Sequence, residues 1–250
     1  MRYYLYITIF LLCLSCHSKK NLYEQKANLI VLNDSIIGDE KIEGLIQPYR
    51  IALDKEMDVV LGTLDTTFEQ KRSAAESMLG NWVADVVFES GYTYLLNQNI
   101  LQNEAVCFSL INKGGLRSSL NKGPITKGEI YELMPFDNEI VVLKLDNIQI
   151  RALLKYLFNY QGQPIGNANC QLSSNQNKLF IHSRPYLFDQ PIYVITSDYL
   201  AKGGDKMYFF DAPITYIQTG ILIRDALIQE VKTKKSIHAP LNFGRIQFVK

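Results

Sequence analysis

The sequence predicts a mixed α/β fold, and three observations carry that expectation. Short apolar, β-prone runs alternate with segments whose apolar residues recur at helical spacing, and two of those runs end in Gly-Gly loops. The third is capacity: 250 residues with 47% hydrophobic and 20% charged content can bury a full core. A formal net charge of +1, from 26 basic and 25 acidic residues, supplies no basic stripe, so no nucleic acid polymer is expected as a partner.

In chain order, Arg2 precedes an apolar run over residues 5–14 that is too short to span a bilayer as a helix, and Ser15 stands directly before Cys16. This is an export signal. The Leu14-Ser15-Cys16 ending resembles a bacterial lipobox, with Cys13 where a Leu is usual. That resemblance implies a signal peptide over 1–16, lipidation at Cys16, and a protein anchored by lipid to a membrane of the bacterial cell envelope, the outer membrane. An uncleaved anchor and plain secretion are the alternatives, and all three take the domain out of the cytoplasm. Residues 17–27 are polar and read as a tether, with the folded domain over 28–250.

At its start, residues 27–34 offer a short strand, and Ile42, Leu45, Ile46, Tyr49 and Leu53 mark a helix followed by a strand at 58–61. Met78, Leu79, Trp82, Val83, Val86 and Val87 fall on one face of an amphipathic helix. Its start is capped either by Ser73 in a box with Glu76 or by Ser77. Asn81 and Asp85, four apart and off the apolar stripe, are expected to face water.

Residues 105–111 form a buried strand that breaks into Asn112-Lys113-Gly114-Gly115-Leu116-Arg117. After a turn at 121–123 come a short helix, a loop at Met134-Pro135-Phe136-Asp137-Asn138, a strand, and a helix capped by Asp146 or Asn147 that buries Ile150, Leu153, Leu154, Leu157 and Phe158. Residues 162–190 are turn-rich and read as a hairpin or a long surface loop. A strand at 192–196 enters Tyr199-Leu200-Ala201-Lys202-Gly203-Gly204-Asp205, and a helix over 219–231 and a strand from Gly244 close the chain. Cys107 and Cys170 can form one disulfide, although Cys107 inside an apolar run favours a buried thiol. Neither has a CxxC neighbour, and His182 and His238 stand alone, so no zinc site is expected.

Strand-to-Gly-Gly loops let a ligand approach the main chain closely. With Phe136 and Tyr199 as two stacking faces, Asp205 as an acceptor for ribose hydroxyls, Arg117 as a forked donor for phosphate and Asn112 as donor and acceptor, the set suits a nucleotide or nucleoside. Base stacking of this kind contributes about 1–3 kcal/mol per base.

Three ordered segments, ESMLGNWVADVV, NKGGLRSSLNKGPITKGEIYELMPFDNEIVVLKL and TSDYLAKGGDKM, resemble the C-terminal domain of 5'-nucleotidases, a likeness that runs from about residue 28 to the end. The resemblance implies layered sheets and helices, and a nucleoside held between Phe136 and Tyr199 with Asn112, Arg117 and Asp205 as further contacts. Tyr199 stands where the family more often has Phe, Asp137 where it has Gly, and Arg72 is the nearest match to a further family arginine. In such enzymes an N-terminal metallophosphoesterase domain holds two metal ions through D-x-H and G-N-H-[DE] motifs. The present sequence shows neither motif, so no cofactor is expected in this chain and divalent metals only in a partner chain. The leading expectation is the recognition half of a split 5'-nucleotidase acting with a metallophosphoesterase partner. A surface nucleotide-binding lipoprotein without catalysis is the alternative, and a structural domain that lost its pocket is a third.

Overall fold

The computed structural model describes residues 29, 31, 33, 35–101, 106–240 and 243–249; the export signal, Cys16, the tether and much of the strand expected at 27–34 lie outside the described residues. The chain divides into two units, Met1–Ile46 and Gln47–Lys250, and helix α1, Glu40–Met57, runs across the division. In the first unit the Asp39 carboxylate accepts from the backbone N-H groups of Lys41 and Ile42 at 2.9 and 3.1 Å, satisfying two donors that a helix start leaves over. Ile42, Leu45 and Ile46 in the first unit, and Tyr49 and Leu53 in the second, are exposed. Among the described residues no helix is long and apolar enough to cross a membrane.

The described residues of the second unit form three sheets. In the smallest, β1 (Val60–Leu64), found slightly later than the strand expected at 58–61, lies between β3 (Gly123–Thr126) and β11 (Ser236–Ile237). The central sheet runs β10 (Thr215–Leu222), β4 (Glu139–Leu145), β9 (Ile192–Ser197), β2 (Cys107–Leu110), β5 (Ile165–Gly166). The third runs β12 (Ile246–Phe248), β6 (Ala168–Leu172), β7 (Lys178–Ile181), β8 (Arg184–Pro185).

Side-chain alternation divides the central sheet between two cores. Cys107, Ile140, Val142 and Ile195 enter one, with residues of α2 (Met78–Asn97), α3 (Lys127–Leu133) and α6 (Ile223–Lys234). Phe108, Val141, Leu143 and Val194 enter the other, with α4 (Asn147–Asn159), the short α5 (Asp198–Ala201) and the third sheet. Burial on both faces explains why these strands read as continuous apolar runs rather than alternating ones. The expected faces of α2 and α4 are buried or half-buried, and Asp146 caps α4 in a reciprocal box with Gln149, at 2.8 and 3.1 Å.

Two details differ from the sequence reading, and two alternatives that it left open are resolved. Ser77, accepting from the Gly80 N-H at 3.0 Å, is the cap of α2, and Ser73 is not. Asn81 and Asp85 do not simply face water: Asn81 is buried and donates to Glu76 Oε1 at 2.6 Å, and Asp85 takes both terminal nitrogens of Arg245 at 2.6 and 2.7 Å. Glu76 Oε2 also accepts from the backbone of Gly244 and Arg245, so the start of α2 anchors the last strand. The stretch expected to be helical from residue 219 is strand through Leu222, because antiparallel pairing of Thr215 to Gln218 with β4 overrides the local pattern. Of the two readings of 162–190, the hairpin forms, with the Ser173 and Asn177 side chains closing its turn, and β12 pairs with it in parallel.

Cys107 and Cys170 are free and lie in different cores, which rules out a bond between them. Burial pushes both thiols up to about 12 from 9.0, and burial aided by neighbouring charge pushes the Tyr156 and Tyr186 phenols up to about 12 from 10.0. Each group holds its proton more tightly folded than unfolded, so its contribution is complete below the unfolded value and is lost as pH rises toward the folded one. Urea unfolding is therefore expected to show stability falling continuously from about pH 9 to about pH 12. A flat profile over that window would contradict this burial.

Candidate functional site

Topology brings three loops to one edge of the central sheet. Strands β2 and β9 are parallel neighbours, so their C-terminal ends, each followed by a Gly-Gly loop, lie side by side. Strand β4 is antiparallel to β9, with Ile140 opposite Ser197, so the Met134 to Asn138 loop that precedes it reaches the same edge. The Asp198 carboxylate ties the two by accepting from the Glu139 N-H at 3.1 Å. Ligands in open α/β sheets bind at the carboxyl ends of strands for the same reason.

Asn112, Arg117, Phe136, Tyr199 and Asp205, the five candidates, together line one cavity of ≈ 290 Å³, with Gly114, Gly115 and Asn138 completing the wall. Arg72 is exposed and is not among the lining residues. Phe136 and Tyr199 are 43% and 45% exposed, so neither ring is spent on the core. The Arg117 guanidinium stands 5.8 Å from the Phe136 ring centre and donates to the Gly114 carbonyl at 3.4 Å.

Asp205 is held from several sides. Its Oδ2 accepts from the Asn112 amide at 2.6 Å and its Oδ1 from the Tyr199 hydroxyl at 2.9 Å, while its backbone carbonyl accepts from the Tyr156 hydroxyl at 2.9 Å. Its φ of 51° is left-handed, a conformation Asp tolerates better than most residues. The hydrogen bond to the Asp205 carboxylate, followed by burial, raises the Tyr199 phenol above its ordinary range.

Two glycines make room for this arrangement. A Cβ on Gly204 would stand 2.5 Å from the Tyr199 ring, and one on Gly115 would stand 2.9 Å from Asn112 Oδ1. Sequence reasoning missed Asn138, although it ends the same loop as Phe136. Its position before an apolar strand was the available signal.

A larger cavity, ≈ 520 Å³, brings together His182 and His238, which the sequence leaves apart. Its charged groups are largely committed to protein partners: Asp85 to Arg245, Lys234 to Glu230 at 2.6 Å, and His238 to Asp65 at 2.7 Å. The smaller cavity, with a carboxylate, an arginine and two half-exposed rings, is the better candidate.

Comparison with known proteins matches residues 60–180 to the family described as "5'-nucleotidase, C-terminal domain". Residues 60–180 belong to the 5'-nucleotidase C-terminal domain family. The chain is similar to an apyrase of Anopheles gambiae, 23% identical over 83% of this chain, and to Protein UshA of Yersinia enterocolitica, 23% identical over 87%. The match spans 38% of the length of each of these two relatives. Among solved structures, that of a 5'-nucleotidase precursor from Thermus thermophilus superimposes with a TM-score of 0.68 at 22% identity, covering 83% of this chain and 43% of the other. The layered arrangement of mixed sheets and helices in the second unit is thus the fold of this family's C-terminal domain.

Proposed function

We propose that this domain is the nucleotide-recognition half of a split 5'-nucleotidase and presents its ligand to a separate metallophosphoesterase chain for phosphate-ester hydrolysis. One observation carries the reading: three loops place two aromatic faces, a fixed carboxylate, an arginine and two carboxamides around one cavity. Its volume, ≈ 290 Å³, is at the small end of small-molecule sites and suits a nucleoside better than a polymer. The rings would stack on the base, Asp205 would accept the ribose hydroxyls, and Asn112 and Asn138 would read ribose or base edges. Arg117 would meet the phosphate as a forked donor.

Hydrolysis in this reading belongs to the partner. Among the described residues no three His, Cys, Asp or Glu side chains converge as metal ligands, and in this reading the divalent metals sit in the partner chain. The lipid anchor at Cys16 would hold the pair at a membrane of the cell envelope.

Phosphate release from AMP and UDP-glucose with Mn²⁺, measured on the chain alone and mixed with a metallophosphoesterase encoded beside it, tests the proposal. Release only in the mixture is the expected result. Nucleoside binding without release in the mixture would favour a surface binding protein, and no binding at all would remove both readings.

A further inference from the structure

The Phe136 loop is fastened from outside the cavity. The Arg224 guanidinium, at the start of α6, is buried, with its side chain 9% exposed, and lies over the Tyr131 ring at 4.2 Å. One of its terminal nitrogens donates to the Met134 carbonyl at 3.5 Å and the other to Asp137 Oδ1. The next-door Ile223 N-H donates to the Asn138 carbonyl at 2.9 Å. Residues on both sides of Pro135-Phe136 are therefore held by two consecutive residues of a helix some ninety positions away in the chain. Phe136 itself is 43% exposed and contributes little to fixing its own loop.

We infer that Arg224 and Asp137 are positioning residues that hold the Phe136 ring at the angle a base can stack on. Neither lines the cavity, so they act through the loop rather than on the ligand. A guanidinium can span two acceptors in a fixed fork, which a lysine ammonium cannot, and its burial leaves it dependent on the Asp137 carboxylate as its counter-charge. The Asp137 side chain is 76% exposed, so water can take its place beside Arg224 when the carboxylate is removed. An unfastened loop would have to be ordered when the ligand binds, and that cost appears as lost affinity.

The inference rests on the nucleoside-binding reading, and the experiment separates the two. Adenosine binding by the full chain is measured calorimetrically for wild type, Asp137→Ala, Asp137→Asn, Phe136→Ala and the Asp137→Ala/Phe136→Ala pair, with hydrogen exchange at residues 134–138 followed in the free protein. Asp137→Ala is expected to lose about three- to tenfold in affinity, the scale of ordering one mobile side chain, and to speed exchange in the loop. Asp137→Asn, which keeps the acceptor oxygen, is expected to recover most of both. In the Phe136→Ala background, removing Asp137 should cost nothing further. If Phe136→Ala weakens binding while Asp137→Ala changes neither affinity nor exchange, the positioning role is wrong and the site stands. An equal loss from Asp137→Ala with and without Phe136 also overturns it, since the effect would then bypass the ring. Absence of adenosine binding by wild type removes the reading and the inference with it.

Discussion

Asp85→Ala is expected to destabilise the domain by about 3 kcal/mol, the low end of the cost of removing one partner of a buried ion pair. The Arg245 side chain is 5% exposed and gives both terminal nitrogens to Asp85, at 2.6 and 2.7 Å. Removing the carboxylate strips a cation inside the protein of two charge-assisted hydrogen bonds. Arg245 keeps the Ile165 carbonyl at 2.8 Å, and Asp85 itself is 39% exposed, so water can reach part of the gap. Both facts hold the loss to the low end of the range. Asp85→Asn, which preserves an acceptor but no charge, should fall between. Denaturant unfolding checks this: the midpoint should drop with the slope unchanged. Adenosine affinity should stay the same, because the pair lies outside the smaller cavity. A midpoint within error of wild type would mean that solvent screens the pair as it screens surface ones.

The same pair shows what the sequence could not reveal. Helical spacing places Asp85 off the apolar stripe of α2 and stops there, whereas its partner Arg245 lies 160 positions later on the segment leading into β12. Local periodicity carries no information about a contact of that separation. Strand β10 was hidden for a related reason, since its burial alternates only because β4 lies beside it. By contrast, β2, β4 and β9 were legible because burial on both faces writes itself into the sequence as apolar runs.

The candidate site was legible to a greater degree, and for a physical reason. Gly-Gly pairs mark places where main chain and ligand or side chain come close, and the Cβ positions at Gly115 and Gly204 confirm close approaches at both loops. Phe136 stood out because a loop aromatic between a proline and two polar residues has no periodic core to serve. What spacing could not supply was the convergence. Asn112 and Asp205 are 93 positions apart and become hydrogen-bonded only because β2 and β9 run parallel as neighbours. Arg224, which fastens the Phe136 loop, reads in sequence as one more charge within the helix expected over 219–231.

Asp205→Ala is expected to weaken adenosine binding about a hundredfold, since hydrogen bonds to a charged acceptor contribute about 1.5–3 kcal/mol each and the ribose can offer two hydroxyls. Part of any loss could come from the backbone, because alanine is less tolerant than aspartate of the left-handed φ of 51°. Asp205→Asn separates the two effects: it keeps the backbone preference and the shape, loses the charge, and should still lose most of the affinity at unchanged stability. The preorganisation seen here sharpens the test. Asn112 and the Tyr199 hydroxyl already hold the two carboxylate oxygens at 2.6 and 2.9 Å, so the carboxylate needs no reorientation when a ligand arrives. Wild type should therefore prefer adenosine to 2'-deoxyadenosine by about tenfold, the value of one such bond, and Asp205→Ala should bind the two alike. A variant that weakened both ligands equally and kept the preference would show that the ribose hydroxyl is read by another group, with Asn112 next in line because it shares the same cavity wall.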